Sequence, residues 1–133
     1  MGRKVSIPPA LAETLAHLFG ESVSDVEVIE YSYIARCHPR MVATTRPGRI
    51  YLRGSAEDFF GDLPLVLHEF FHVVRQWRPG HMTVWRYLLE SFRRGYEDNR
   101  FEVEAREFST DEHYRCRALL ARHASRLDGG HKA

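Results

Sequence analysis

The sequence predicts a single α+β domain, in which one helix precedes a small antiparallel sheet and three more helices follow it. Three observations carry this. A helical apolar repeat follows Pro8 and Pro9, short β-branched and aromatic stretches lie between Asp25 and Gly54, and helical periodicity dominates from Asp62 almost to the end. At 133 residues the chain can bury a core without disulfide or metal staples, but it is too short for two conventional domains. Residues 1–133 therefore read as one unit, with a disordered tail from about residue 125.

Each element has its own signal. In "ALAETLAHLF" Leu11, Leu15, Leu18 and Phe19 share one helical face, His17 lies off it, and Gly20 supplies the stop. "VEVIEY", "MVATTR" and "RIYLRG" have strand composition, and Pro47-Gly48 suits a tight reversal, so Met41 to Gly54 predicts a hairpin. Three helices follow, about Asp62–Trp77, His81–Arg94 and Asn99 or Arg100 to Ala124, separated by "RPGH" and by Gly95. The helical spacing of Trp77, Trp85, Tyr87 and Phe92 predicts core positions.

Composition excludes several functions. A hydrophobic share of 44% contains no run of the roughly 20 apolar residues a membrane span needs. Net charge is +1 with basic residues scattered, which gives no phosphate-binding face and argues against nucleic acid. The N-terminus lacks the apolar stretch of a signal peptide, so a cytoplasmic location is expected. Cys37 and Cys116 then read as free thiols, and Cys37-His38 alone is a poor metal signature.

The chemistry concentrates in "LPLVLHEFFHVVRQW", Leu63 to Trp77. At about 100° per residue, Val66, Leu67, Phe70, Phe71, Val73, Val74 and Trp77 form one sector, and Asp62, His68, Glu69, His72, Arg75 and Gln76 the other. His68 and His72 stand on consecutive turns, within reach of one ion at about 2.0 to 2.1 Å. Glu69 lies beside the pair, placed to take a proton from a metal-activated water. This is the physical content of H-E-x-x-H.

Two histidines underfill a tetrahedral ion, so a third protein ligand is needed. "YEDNRFEVEAREF" offers Glu102, Glu104 and Glu107. Phe101, Ala105 and Phe108 mark the buried face there, with Glu102 and Glu104 flanking it on opposite sides, and periodicity does not choose between them. An oxyanion donor is also expected, from among Tyr96, His81, His113 and Tyr114. Arg75 and Gln76 stand one turn beyond His72, within reach of the ligands. "RIYLRG", Arg49 to Gly54, is the strand just before the motif helix and is taken as the cleft wall along which an extended substrate would pair.

With "HEFFHVVRQW" followed by "NRFEVEAREF", the chain resembles the gluzincin zinc peptidases, whose third ligand is a glutamate on a helix downstream of H-E-x-x-H. "NRFEVEA", Asn99 to Ala105, matches the longer N-x-x-E-x-E-A form of that element. It is most similar to small bacterial domains of this type, found alone or in contractile-injection-system cargo. The resemblance covers roughly Val26 to Phe108. It implies a zincin-like fold, zinc on His68, His72 and Glu102, Glu69 as general base, and peptide hydrolysis, with export or injection by a dedicated system as a route out of the cytoplasm. The alternative is a catalytically silent binding or cargo module that keeps the metal site. A chain this short has little material for a second lobe, which leaves room for a protein partner beside a peptide or protein substrate.

Overall fold

The computed structural model describes residues 2–36 and 42–131. Cys37, His38 and Met41, where the sequence places the start of a strand, lie outside the described residues, as do residues 132–133. Among the described residues the chain forms an α+β fold of six helices and a four-stranded sheet. In chain order these are β1 (Arg3–Val5), α1 (Pro9–Phe19), β2 (Glu27–Glu30), α2 (Tyr33–Arg36), β3 (Ala43–Arg46), β4 (Arg49–Leu52), α3 (Ala56–Phe60), α4 (Leu63–Phe71), α5 (Val84–Asp98) and α6 (Arg100–His131). A π-helical segment, His72–Trp77, continues α4. No helix among the described residues is long and apolar enough to cross a membrane.

The sheet is mixed, which corrects the antiparallel expectation. Its order is β1-β2-β4-β3. The β3–β4 hairpin is antiparallel, with Thr44 opposite Tyr51, and Gly48 takes the φ of 70° that the reversal needs. That hairpin brings β4 to lie beside β2 in the same direction, with Val28 opposite Ile50. β1 adds an antiparallel edge, with Arg3 opposite Glu30. Three largely exposed residues carry too little pattern for the sequence to reveal β1. The short α2 and α3 escape for the same reason. α3 is fixed by its neighbours: Ser55 accepts from the Asp58 N–H, and the buried Glu30 carboxylate accepts from the Ala56 N–H at 2.8 Å while pairing with Arg3.

The core lies between sheet and helices. Leu11, Leu15, Leu18 and Phe19 of α1, Val28, Ile50 and Leu52 of the sheet, and Val66, Leu67, Phe70, Val73 and Val74 of the motif helix form one cluster. Val66, Leu67 and Phe70 are fully buried, each worth about 1.5 to 3 kcal/mol against exposure. Asp62 caps α4 by accepting from the Leu65 N–H.

α6 packs along α4 and α1. Ala105 is fully buried where it approaches α4, Phe108 lies against Phe19 and Phe71, and the Ser109 hydroxyl donates to the Pro64 carbonyl at 2.6 Å. Near its far end, Glu13 of α1 meets His123 and Arg126. This docking carries the helix to His131, where the sequence predicts an end near Ala124 and a disordered tail. Cys116 is a free thiol buried between these helices, and burial pushes its pKa up to about 11.

α5 differs most from expectation. None of its residues is buried, and Gly95, at φ 78°, breaks its helical course. Trp85 and Phe92 are 81% and 90% exposed, so they are not core residues.

Candidate metal centre

His68 and His72 lie one turn apart on the motif helix with their rings edge to face, 4.8 Å between centroids. Glu102 comes from the first turn of α6. The two Nε2 atoms are 3.2 Å apart, and Glu102 Oε1 lies 2.9 Å from that of His68 and 3.0 Å from that of His72. Ligands arranged tetrahedrally at about 2.0 to 2.1 Å from one ion stand about 3.3 Å from each other. The three atoms are thus spaced as one small cation requires, and the His68-His72-Glu102 group could hold a metal ion. Two imidazoles and a carboxylate suit a divalent metal of borderline softness. Glu104 and Glu107 are exposed, pointing away.

The three candidate ligands are held from behind. The Phe101 carbonyl can only accept, so the Gln76 amide nitrogen donates to it, at 3.0 Å. Gln76 Oε1 is then left to accept from His72 Nδ1, at 2.6 Å. That puts the proton on Nδ1 and leaves the Nε2 lone pair aimed at the centre. Gln76 thereby ties the motif helix to α6 one residue before Glu102. The π-helical segment carries this residue, and at its end the Arg78 N–H reaches back five residues to Val73. Asn99, fully buried, caps α6: its side-chain oxygen accepts from the Phe101 N–H, while its amide donates to the Tyr87 carbonyl and to Ser91. The Tyr87 hydroxyl donates to Glu102 Oε2 at 2.6 Å.

The charges fit a cation. Burial works to raise the Glu102 pKa, but hydrogen bonds from His68 and His72 and the positive field around them hold it well below the usual carboxylate range. Burial works to lower His72, yet its hydrogen bond to Glu102 and the charges of Glu69 and Glu102 leave it raised. The centre therefore draws in positive charge, as a proton or as an ion.

Glu69 lies beside this group and is almost wholly buried, and burial pushes its pKa up. Its carboxylate makes no hydrogen bond to another side chain among the described residues and lines a cleft of about 200 Å³. His72, Glu102, Tyr87 and Tyr96 line it too, with Trp77, Met82, Val84, Leu88 and residues 43–46 of β3. The cleft strand is β3, not the expected Arg49–Gly54 strand. β4 lies inside the sheet between β2 and β3, so its edges are taken, whereas β3 is the outer strand.

Of the four expected oxyanion donors, only Tyr96 reaches the cleft. Burial and the charges of Glu102 and Glu69 raise its pKa, which keeps the hydroxyl protonated and able to donate. His81 lines a separate groove with Phe19 and Arg75. His113 and Tyr114 are about three turns along α6 from Glu102, His113 beside Arg117 and Tyr114 exposed. Arg75 does not touch the ligands, since its guanidinium donates to the Phe19 carbonyl.

Tyr87 is the site side chain that periodicity misassigned. It bonds to Glu102 rather than filling the core, and the half-buried Trp77 lines the cleft and donates to Thr45. Helical spacing carried no signal that would have marked Tyr87. Comparison of the chain with family models, curated proteins and solved structures found no match.

Proposed function

We propose that the chain is a zinc-dependent metallopeptidase of the gluzincin type, with a zincin-like fold, hydrolysing peptide bonds with Glu69 as general base. The observation that carries this is the convergence of His68, His72 and Glu102 to 2.9–3.2 Å of one another beside a buried, unbonded Glu69 on a cleft wall. A purely structural site has no use for such a carboxylate.

Zinc held by the three ligands would polarise the scissile carbonyl and lower the pKa of water at the site. The residues supply the rest. Glu69, with its pKa raised by burial, accepts the proton of the attacking water and passes it to the leaving nitrogen. Tyr96 can donate its cleft-lining hydroxyl to the developing oxyanion, whereas the Tyr87 hydroxyl is engaged with Glu102. β3 offers its outer edge to an extended substrate backbone.

Elemental analysis of the purified protein tests the site. One zinc per chain is expected in the parent and in Glu104→Ala, and strong loss in His72→Ala and Glu102→Ala. Cleavage of fluorescein-labelled casein tests the chemistry, with activity expected in the parent and not in Glu69→Gln. Bound zinc without cleavage by the parent would favour the silent binding or cargo module instead.

A further inference from the structure

Among the described residues, α5 turns an unpartnered apolar face outward. Between Val84 and Arg94, at about 100° per residue, Val84, Trp85, Leu88, Leu89 and Phe92 occupy one sector without a charged residue, and Arg86, Glu90, Arg93 and Arg94 occupy the other. Tyr87 and Ser91 sit between them and are held by the Asn99 contacts, which fix the roll of the helix and keep the apolar sector away from the body. All five apolar residues are exposed, from 46% at Val84 to 90% at Phe92. Side chains of this size in one sector make a patch on the order of several hundred Å², the class that marks an interaction surface.

The patch is continuous with the cleft. Val84, Leu88 and Tyr96 line the same cavity as Glu69, His72 and Glu102, so the stripe begins beside the metal ligands and runs outward along the lip. β3 supplies another wall of that cavity, and its ladder has a readable phase. The Arg53 N–H donates to the Val42 carbonyl, so Val42, Thr44 and Arg46 spend their backbone groups on β4 while Ala43 and Thr45 turn theirs to the outer edge. The Thr45 carbonyl there already accepts from the Arg46 guanidinium at 2.7 Å, which leaves Ala43 and the Thr45 N–H as the strand edge that this cleft presents, among the described residues, beside the exposed apolar helix.

We propose that the α5 stripe is the side-chain platform for substrate, and that the protein takes an extended polypeptide segment carrying large apolar side chains, as an unfolded or partly unfolded chain exposes. The backbone of such a segment pairs with Ala43 and with the Thr45 N–H, and its apolar side chains cover Trp85, Leu88, Leu89 and Phe92. This rests on the peptidase reading for which cleft is the substrate's, though binding itself requires no turnover. Folded proteins bury such side chains, so the platform selects against them.

The test uses the full zinc-loaded Glu69→Gln protein and two fluorescein-labelled ten-residue peptides with lysine ends, one alternating Phe or Leu with Thr, the other alternating Ser with Thr. Anisotropy should show the apolar peptide binding roughly tenfold tighter or better, and Trp85→Ser with Phe92→Ser should remove at least about tenfold of its affinity. Both side chains are more than four-fifths exposed, so the double variant should keep its far-UV spectrum and its zinc. Equal binding of the two peptides, or unchanged binding by the folded double variant, overturns the proposal. So does loss in that variant of self-association or of cosedimentation with phosphatidylserine vesicles, with no peptide discrimination, since the stripe then belongs to a second copy or a lipid surface. Binding as expected without cleavage in the Glu69-bearing protein sinks the peptidase reading alone. Casein cleavage indifferent to the double variant, without peptide discrimination, sinks the platform alone.

Discussion

Gln76→Ala separates positioning from packing. The amide accepts from His72 and donates to the Phe101 carbonyl, and all three groups are buried. Truncation strands two polar atoms away from water, at about 1 to 3 kcal/mol each, so a loss of at least about 2 kcal/mol is expected. For a chain of this size that lowers the Tm of metal-free protein by about 6 to 10 °C. A second effect is separable from the first. Without an acceptor at Nδ1, the His72 tautomer and ring angle are no longer set, and zinc affinity should fall by roughly 10- to 100-fold. Gln76→Glu resolves the two: it keeps an acceptor for His72 but loses the donor to Phe101, so stability should drop while zinc affinity holds near the parent value. Thermal melts in chelator and competition titration with a zinc indicator measure both. Equal loss of zinc affinity in the two variants would refute the assignment of Nδ1 as donor, and undiminished affinity in Gln76→Ala would refute any positioning role.

Other perturbations address the remaining parts of the site. Glu69→Gln should keep its zinc and lower cleavage by roughly 100- to 10,000-fold, and the metal-free variant should be no less stable than the parent at pH 8, where burying the charge is most costly; a melt several degrees lower would contradict the account of Glu69. Tyr87→Phe removes one charge-assisted bond to Glu102 and should weaken zinc binding by roughly tenfold without loss of fold, read by the same titration. The metal-free protein should have its own pH optimum. The Glu102 contribution is present above its ordinary value near 4.5 and is lost as pH falls through the depressed one, whereas that of His72 is present below 6.5 and is lost as pH rises through the raised one. Maximum Tm in chelator is therefore expected between pH 4.5 and 6.5, and a maximum above pH 8 would contradict the coupling. Zinc affinity should run the other way, rising with pH as His72 gives up its proton.

What the sequence revealed was what local chemistry determines. Leu11, Leu15, Leu18 and Phe19 with Gly20 defined α1, Pro47-Gly48 marked the hairpin, and the spacing of one motif paired His68 with His72, whereas Glu102 was preferred to Glu104 only through the resemblance of "NRFEVEA" to a family element. What it hid was which neighbour covers which face. The polar sector of the motif helix does not say by itself what lies over it, and Glu69, His72 and Gln76 are buried because α6 packs against that helix. α5 shows the reverse. Its strong amphipathy says that two faces differ without saying which is covered, so Trp85 and Phe92 were read as core while Tyr87, two residues from Trp85, points at the ligands. The parallel pairing of β2 with β4 is likewise a long-range outcome that neither strand encodes alone.

The grip of Tyr87 on Glu102 bears on metal discrimination. With one carboxylate oxygen taken up by a phenol, only the other is on offer, so Glu102 would meet an ion through a single oxygen. Calcium, which asks for six to eight oxygens and often a two-toothed carboxylate, gains little from such a donor set, whereas a small ion content with few bonds loses nothing. A phenol that never touches the ion would thus help decide which ion is retained.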